Sequence, residues 1–147
     1  MSEYPYKKKI EMSVLSYGGR FTSPPDGHRE YLLQNRCRAD FCFKIKQGGM
    51  LFVEDDDGAR GVNNLIKYWI WCVANPSVKA VHLVHILETS RPAQVISIKF
   101  LAEKMQDVVR GFKYHLITIS SWQVPVDSWL PELNEKLKGI SELVSSD

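Results

Sequence analysis

Residues 38–67 read RADFCFKIKQGGMLFVEDDDGARGVNNLIK, and the pairing register within this stretch decides both the fold and the site. Two short runs with strand character flank the turn Gln47-Gly48-Gly49. The second run ends in four consecutive acids, Glu54 to Asp57, followed by a glycine and a helical pattern. Adjacent carboxylates repel one another. A bound divalent cation relieves that repulsion. So does a solvated loop at a helix N-terminus, where the helix dipole favours acids.

Alternation predicts a strand over Ala39–Lys46, with Ala39, Phe41, Phe43 and Ile45 on one face and Asp40, Cys42, Lys44 and Lys46 on the other. Its antiparallel partner is Met50–Asp56, where Leu51, Val53 and Asp55 oppose Met50, Phe52, Glu54 and Asp56. A three-residue loop at 47–49 pairs Lys46 with Met50, Cys42 with Glu54, and Asp40 with Asp56. The apolar residues then gather on one face. Asp40, Glu54 and Asp56 share the other, with cross-strand Cβ spacings of about 5 Å. A two-residue Gly-Gly turn slips the register by one, sets Phe43 against Glu54, and spoils both clusters.

Downstream, Val62, Leu65, Ile66, Trp69, Ile70 and Val73 predict an amphipathic helix over Ala59–Ala74, with Asn63, Asn64, Lys67 and Trp71 on its other side. Asn75-Pro76 ends it. Lys79–Glu88 is a near-continuous apolar run, as expected of a strand covered on both faces. Ser90–Arg110 reads as a helix with Ser90 as cap and Pro92 in the first turn. Its apolar stripe is Ile98, Leu101, Ala102, Met105, Val108 and Val109, and Gly111 terminates it. A strand over Phe112–Ser120, a loop with Trp122, and a helix over Val126–Val144 follow. That last helix carries Leu130, Leu133, Leu137, Ile140 and Val144 toward the sheet.

Upstream, residues 1–8 are polar and basic. Alternation of Ile10, Met12 and Val14 suggests a strand over Lys9–Tyr17. Gly18–Gly27 is a loop, and His28–Asn35 a short helix with Asp26 as its cap. The order is that of an α/β fold, a mixed β-sheet sandwiched between helices. The expected organisation is a single domain over 1–147: an N-terminal extension 1–27, a core 28–125 and a C-terminal helix 126–147.

At 147 residues the chain is long enough for one sizeable core, and 44% hydrophobic with 24% charged residues is globular composition. A net charge of +2 is too mild to imply nucleic acid by itself. The basic residues are clustered, however, at Lys7–Lys9 and at Arg29, Arg36, Arg38, Lys44 and Lys46. The cysteines, Cys37, Cys42 and Cys72, match no zinc spacing, and Cys42 and Cys72 read as core thiols. Reduced thiols, no signal peptide and no apolar run long enough to span a bilayer make a cytoplasmic protein the expectation, with no membrane partner.

Magnesium takes oxygen ligands, usually one or two carboxylates with waters and a substrate phosphate, and Asp40, Glu54 and Asp56 could supply them. Other motifs fail. An EF-hand loop needs a glutamate where Asn64 stands. Asp55-Asp56-Asp57-Gly58 resembles an aspartyl-phosphate phosphohydrolase, which implies downstream partners that are not well placed here. His82 and His85, three apart on a strand, point to opposite faces, one of them to the core and the other to a helix. His28 and His115 lack an evident partner, and no hydrolase elbow is present. Gly58 and Gly61 at a helix start could receive phosphate, but four acids oppose it without a metal. Lys67 is either a surface lysine or a phosphate contact aimed at the strand ends.

Ala39-Asp40-Phe41 and Phe52-Val53-Glu54-Asp55-Asp56, followed by a crossover helix and a buried strand, resemble the PD-(D/E)xK nuclease superfamily, the restriction-endonuclease-like fold. The resemblance covers about residues 28 to 120. It implies hydrolysis of phosphodiester bonds in DNA with Mg2+, or Mn2+, held by Asp40 and Glu54. The family lysine position is Asp56, which could be a third ligand or the base for water, and Lys67 could supply the missing cation from the helix. Glu30 could be the upstream helical glutamate of the family. Arg36, Arg38 and Lys44 would contact backbone phosphates, giving salt-sensitive binding. Many nucleases of this type work as homodimers, and the C-terminal helix could serve that end. The alternative is a catalytically inactive member of the fold that binds nucleic acid or protein.

Overall fold

The structure, a computed structural model, describes residues 5–22, 31–34, 37–46 and 48–145. Helix α1 (Pro5–Leu15) opens the chain, and strand β1 (Phe21–Thr22) follows. A small hairpin pairs β2 (Tyr31–Gln34) with β3 (Cys37–Ala39). The main sheet then runs through β4 (Phe41–Ile45), β5 (Gly49–Asp56), β6 (Ala80–Glu88) and β7 (Phe112–Ile119). Helices α2 (Gly61–Ala74) and α3 (Pro92–Val108) make the crossovers, and α4 (Leu130–Ser145) closes the chain. The five-stranded sheet has the order β1-β4-β5-β6-β7. β1, β4 and β5 pair antiparallel, and β5, β6 and β7 pair parallel. The sheet is therefore mixed.

Two apolar layers cover it. Ile10 and Val14 of α1 and Leu133, Leu137 and Ile140 of α4 pack on Phe41, Phe43, Leu51, Val53, Val84 and Ile86. On the other face Leu65, Tyr68 and Trp71 of α2 and Ile98, Ala102 and Met105 of α3 pack on Cys42, Phe52, Leu83 and Phe112. β6 lies between the layers, with Val81 through Leu87 all buried, as its near-continuous apolar run predicts. Cys42 and Cys72 are buried. Among the described residues no helix is long and apolar enough to cross a membrane.

The expected elements are corrected in four places. The segment read as a strand over Lys9–Tyr17 is helical. Tyr6, Ile10 and Val14, four apart, point to the sheet, while Met12 of the apparent alternation is 64% exposed. Tyr31–Gln34 forms a strand rather than part of a helix, because pairing with Cys37–Ala39 satisfies its backbone where a single turn could not hold itself. Residues 28–30 and 35 of that expected helix, with its cap Asp26, lie outside the described residues. The continuous strand over Ala39–Lys46 is broken at Asp40. There the Asp55 N–H donates to Asp40 Oδ2 at 3.1 Å, so a side chain takes the place of a ladder bond. Ser90 does not cap α3: its hydroxyl donates to Glu88, and Arg91 occupies the cap.

The hairpin register is also corrected. Phe43 pairs with Leu51 and Ile45 with Gly49, so Cys42 lies opposite Phe52, not Glu54. β4 ends at Ile45 and β5 begins at Gly49, with Gly48 at φ 107 and its N–H donating to the Ile45 carbonyl at 3.0 Å. Gly49 is drawn into the strand because β6 passes close beside it: a Cβ there would stand 2.7 Å from the Ala80 carbonyl oxygen. The shift is two residues, so the paired residues of β4 and β5 keep their expected faces.

α2 carries the largest departure. Its buried residues are Gly61, Leu65, Tyr68, Trp71 and Cys72. Of the stripe expected to face the core, Ile66, Ile70 and Val73 are 39%, 51% and 67% exposed. Glu54 and Lys67 account for the rotation: the helix turns Lys67 and Tyr68 inward to meet the buried carboxylate.

Candidate functional site

The polar residues of the fold collect at the carboxyl end of β5, where ligands commonly bind in open α/β sheets. Three linked groups meet there. Period-two alternation sends Glu54 and Asp56 to the α2 side of the sheet and Asp55 to the α1 side. Asp40, at the bend between β3 and β4, lies beside both Glu54 and Asp55.

The first group joins Asp40, Glu54, Lys67 and Tyr68. Glu54 is 2% exposed. Its Oε1 accepts from the Tyr68 hydroxyl and lies 2.8 Å from Lys67 Nζ. Lys67 Nζ also donates to the Arg38 carbonyl at 2.6 Å. Burial, then the carboxylates of Glu54 and Asp55, push the Asp40 carboxyl up to about 10. It therefore holds a proton at neutral pH, which lets it hydrogen-bond the neighbouring acids instead of repelling them. Burial, then the charge of Glu54, raise the Tyr68 hydroxyl well above its ordinary value, so it remains a donor.

The second group surrounds Asp55. The Tyr6 hydroxyl donates to Oδ2 at 2.6 Å, and Lys7 Nζ reaches both carboxylate oxygens at 3.1 and 3.2 Å. Burial raises the Asp55 carboxyl. The hydrogen bond with Asp40, the Lys7 charge and the Tyr6 hydroxyl outweigh it and hold the group below the ordinary carboxylate value.

The third group is centred on Asp56. Oδ1 accepts from the Gly58 N–H at 2.8 Å, and Oδ2 is 2.9 Å from both Asn64 Nδ2 and His85 Nε2. His85 is fully buried, and its Nδ1 lies 2.6 Å from the Tyr114 hydroxyl. Burial pushes Asp56 up, but His85, Asn64 and the Gly58 N–H hold it below the usual value. The Trp122 indole N–H donates to the Asp56 carbonyl at 3.1 Å and fixes the loop after β7 to the end of β5. Between them opens a cleft of about 690 Å³, lined by Tyr6, Asp55, Asp56, Asp57, Arg60 and Trp122 among others. The Tyr6 and Trp122 rings stack there at 4.7 Å.

Of the residues proposed from sequence, Asp40, Glu54 and Lys67 come together. Asp56 is engaged by a different set of partners. The carboxylate beside Asp40 that the sequence reading turned away is Asp55. The carboxylates of Asp40, Glu54 and Asp55 offer oxygen ligands, suited in kind to a hard divalent cation. An Asp40 that must carry a proton among them is the group such a cation would relieve. Among the described residues no three His, Cys, Asp or Glu side chains stand ready as a cage for a metal ion. Tyr6, Lys7, Tyr68, His85 and Trp122 were not legible as site residues, although the β5–β6 pairing of Glu54 with His85 accounts for the place of that histidine. His82 and His115 pair on the opposite face, with Nδ1 and Nε2 3.0 Å apart. Arg38 and Lys44 are exposed, while Arg29, Glu30 and Arg36 lie outside the described residues.

No family model, no curated protein and no solved structure matches this chain.

Proposed function

We propose that this chain is a magnesium-dependent nuclease-like domain of the PD-(D/E)xK kind, with a restriction-endonuclease-like arrangement, that hydrolyses phosphodiester bonds in DNA. The observation that carries the reading is the meeting of Asp40, Glu54 and Lys67, which come from a bend, a strand and a crossover helix. The sheet order adds support: an antiparallel hairpin carries both acids, and a helix and a parallel buried strand follow.

Asp40 and Glu54 would hold the ion, Mg2+ or Mn2+. When bound it would polarise the phosphodiester and lower the pKa of an attacking water. Lys67, 2.8 Å from Glu54 Oε1, would supply from α2 the cation that the family lysine position, Asp56, lacks, and would offer its charge to a scissile phosphate. Asp56, held below the ordinary carboxylate value, is a weak proton acceptor. Its place under the cleft suits orientation of ligand or water better than general-base work. Exposed Arg38 and Lys44 would meet backbone phosphates, with affinity falling as salt rises.

A second reading, a catalytically inactive member of the fold that binds nucleic acid or protein, is favoured by one feature. Asp56 fills the lysine position and is committed to His85, Asn64 and Gly58. Titration calorimetry with manganese, comparing wild type with Asp40→Ala and Glu54→Ala, separates the two readings when run beside cleavage of plasmid and single-stranded DNA. Metal binding lost in both variants together with metal-dependent cleavage supports the nuclease. Neither metal uptake nor cleavage by the wild type would sink it.

A further inference from the structure

We propose that the cleft at the end of β5 takes a single unstacked nucleotide, whose base lies against the Trp122 and Tyr6 wall and donates an exocyclic amino N–H to Asp56. The proposal rests on the reading of DNA as the substrate and names the part of it that this cleft would hold. At about 690 Å³ the cleft has the size usual for sites that enclose a small organic ligand. One side of it is apolar, with Trp122, Val124, Pro125 and Val126 beside Tyr6. Trp122 and Tyr6 are half-buried, and their rings stack with an interplanar angle of 23°. The indole N–H is bonded to the Asp56 carbonyl, so the ring is fixed in place before a ligand arrives. Aromatic walls of this kind hold bases that have left their own stack.

The polar side of the cleft selects the base. Asp56 lines it and is 4% exposed. An ionised carboxylate has about four acceptor positions. Among the described residues three are taken, one on Oδ1 by the Gly58 N–H and two on Oδ2 by Asn64 and His85. The position left on Oδ1 accepts a hydrogen bond and cannot donate one. Adenine and cytosine carry exocyclic amino groups that match it, as an acid matches the cytosine amino group in duplex readout. The charged side chains lining the cleft are Asp55, Asp56, Asp57 and Arg60. Lys7 offsets Asp55. Asp56 and Asp57 then stand against Arg60, and the last two are exposed. That balance opposes a run of phosphates along the cleft. It suits a neutral base with one phosphate at Arg60. A compact organic cation would also answer the two acids, but Arg60 would repel it, so it is the competing occupant.

The test is a heteronuclear NMR titration of the full chain in EDTA, which keeps metal binding and cleavage out of the readout. The probes are deoxyadenosine monophosphate, the same nucleotide with hydrogen in place of the amino group, deoxyadenosine, and butylammonium. The first should shift the Trp122 indole and Gly58 N–H resonances saturably. The nucleotide without the amino group should bind about tenfold more weakly, the loss of one hydrogen bond to a charged acceptor. Arg60→Ala should weaken the monophosphate and leave deoxyadenosine unchanged. Arg60 is exposed, so this variant should keep the wild-type fold. No saturable response to the monophosphate, equal binding of the two nucleotides, or a response to butylammonium alone overturns the proposal. Nucleotide binding by a wild type that neither takes up manganese nor cleaves DNA leaves this site standing and removes the nuclease. Metal-dependent cleavage by a wild type that does not bind the monophosphate does the reverse.

Discussion

Lys67 reaches from the middle of α2 to the buried end of Glu54, with Nζ 2.8 Å from Oε1 and the side chains only 12% and 3% exposed. A pair this enclosed does not behave like a surface ion pair. Removing one partner leaves a buried charge without compensation, which costs about 3–5 kcal/mol. Lys67→Met should lower stability by that amount in urea titration. A change within about 0.5 kcal/mol, the range of an ordinary surface substitution, would show that the pair does not hold.

Asp40→Asn tests the proton on Asp40. The folded value of about 10 lies above the ordinary 3.8. The stability it contributes is therefore complete below about pH 4 and is lost as pH rises toward 10. The asparagine variant has no proton to lose, so its stability should decline less over that window, as read by thermal melts at pH 5, 7 and 9. Manganese at a hundredfold excess over its Kd should stabilise the wild type by about 2.7 kcal/mol. In a domain of this size that is roughly 5 to 10 °C. The variant should not respond. A variant that melts with the wild-type pH dependence and still responds to manganese contradicts both roles.

The His82–His115 pair predicts a separate acid response. Burial, with the Lys113 charge beside both rings and Lys136 near His115, lowers each histidine to about 4. Unfolded histidines protonate near 6.5. The pair's contribution is thus present above pH 6.5 and lost as pH falls toward 4, at up to about 1.4 kcal/mol per pH unit for each ring. Urea midpoints from pH 7 to 4 should fall more steeply for the wild type than for the double variant His82→Gln, His115→Gln. Equal slopes would refute the assignment.

Two glycines make opposite predictions. Gly111 has φ 82, and a Cβ there would stand 2.3 Å from the Lys79 carbonyl oxygen. Gly111→Ala should cost more than about 2 kcal/mol, since the left-handed backbone alone costs about 1–2. Gly139 lies within α4, and an added Cβ meets nothing within 4 Å. Gly139→Ala should stabilise by about 0.5–1 kcal/mol. Chemical denaturation of the two variants side by side checks both.

The sheet was legible where one physical constraint dominated. The alternation of Phe41, Phe43 and Ile45 against Leu51 and Val53 gave the faces correctly, and these survived a two-residue error in register because side chains repeat every two residues. The register itself depended on how closely β6 passes Gly49, which no local pattern carries. α1 was misread because three alternating residues fit either period, and the contact that decides it, Tyr6 with Asp55, joins distant segments. In α2, hydrophobicity pointed one way and the buried Glu54–Lys67 contact the other, and the polar contact prevailed. Asp40, Glu54 and Lys67 were readable from residue type and spacing. Asp55 was discounted because the bend that carries Asp40 between the two faces is a tertiary feature.

The cleft also has a place in the order of folding. One wall comes with Tyr6, whose hydroxyl meets Asp55 across 49 positions, and the other with Trp122, whose indole meets Asp56 across 66. Contacts of such separation close late, because the chain entropy of long loops is lost before the contacts repay it. During synthesis β5 and its acids leave the ribosome long before Trp122. The nascent chain therefore carries the carboxylates without their enclosing wall, and the pocket becomes a pocket only as the last strand and its loop arrive.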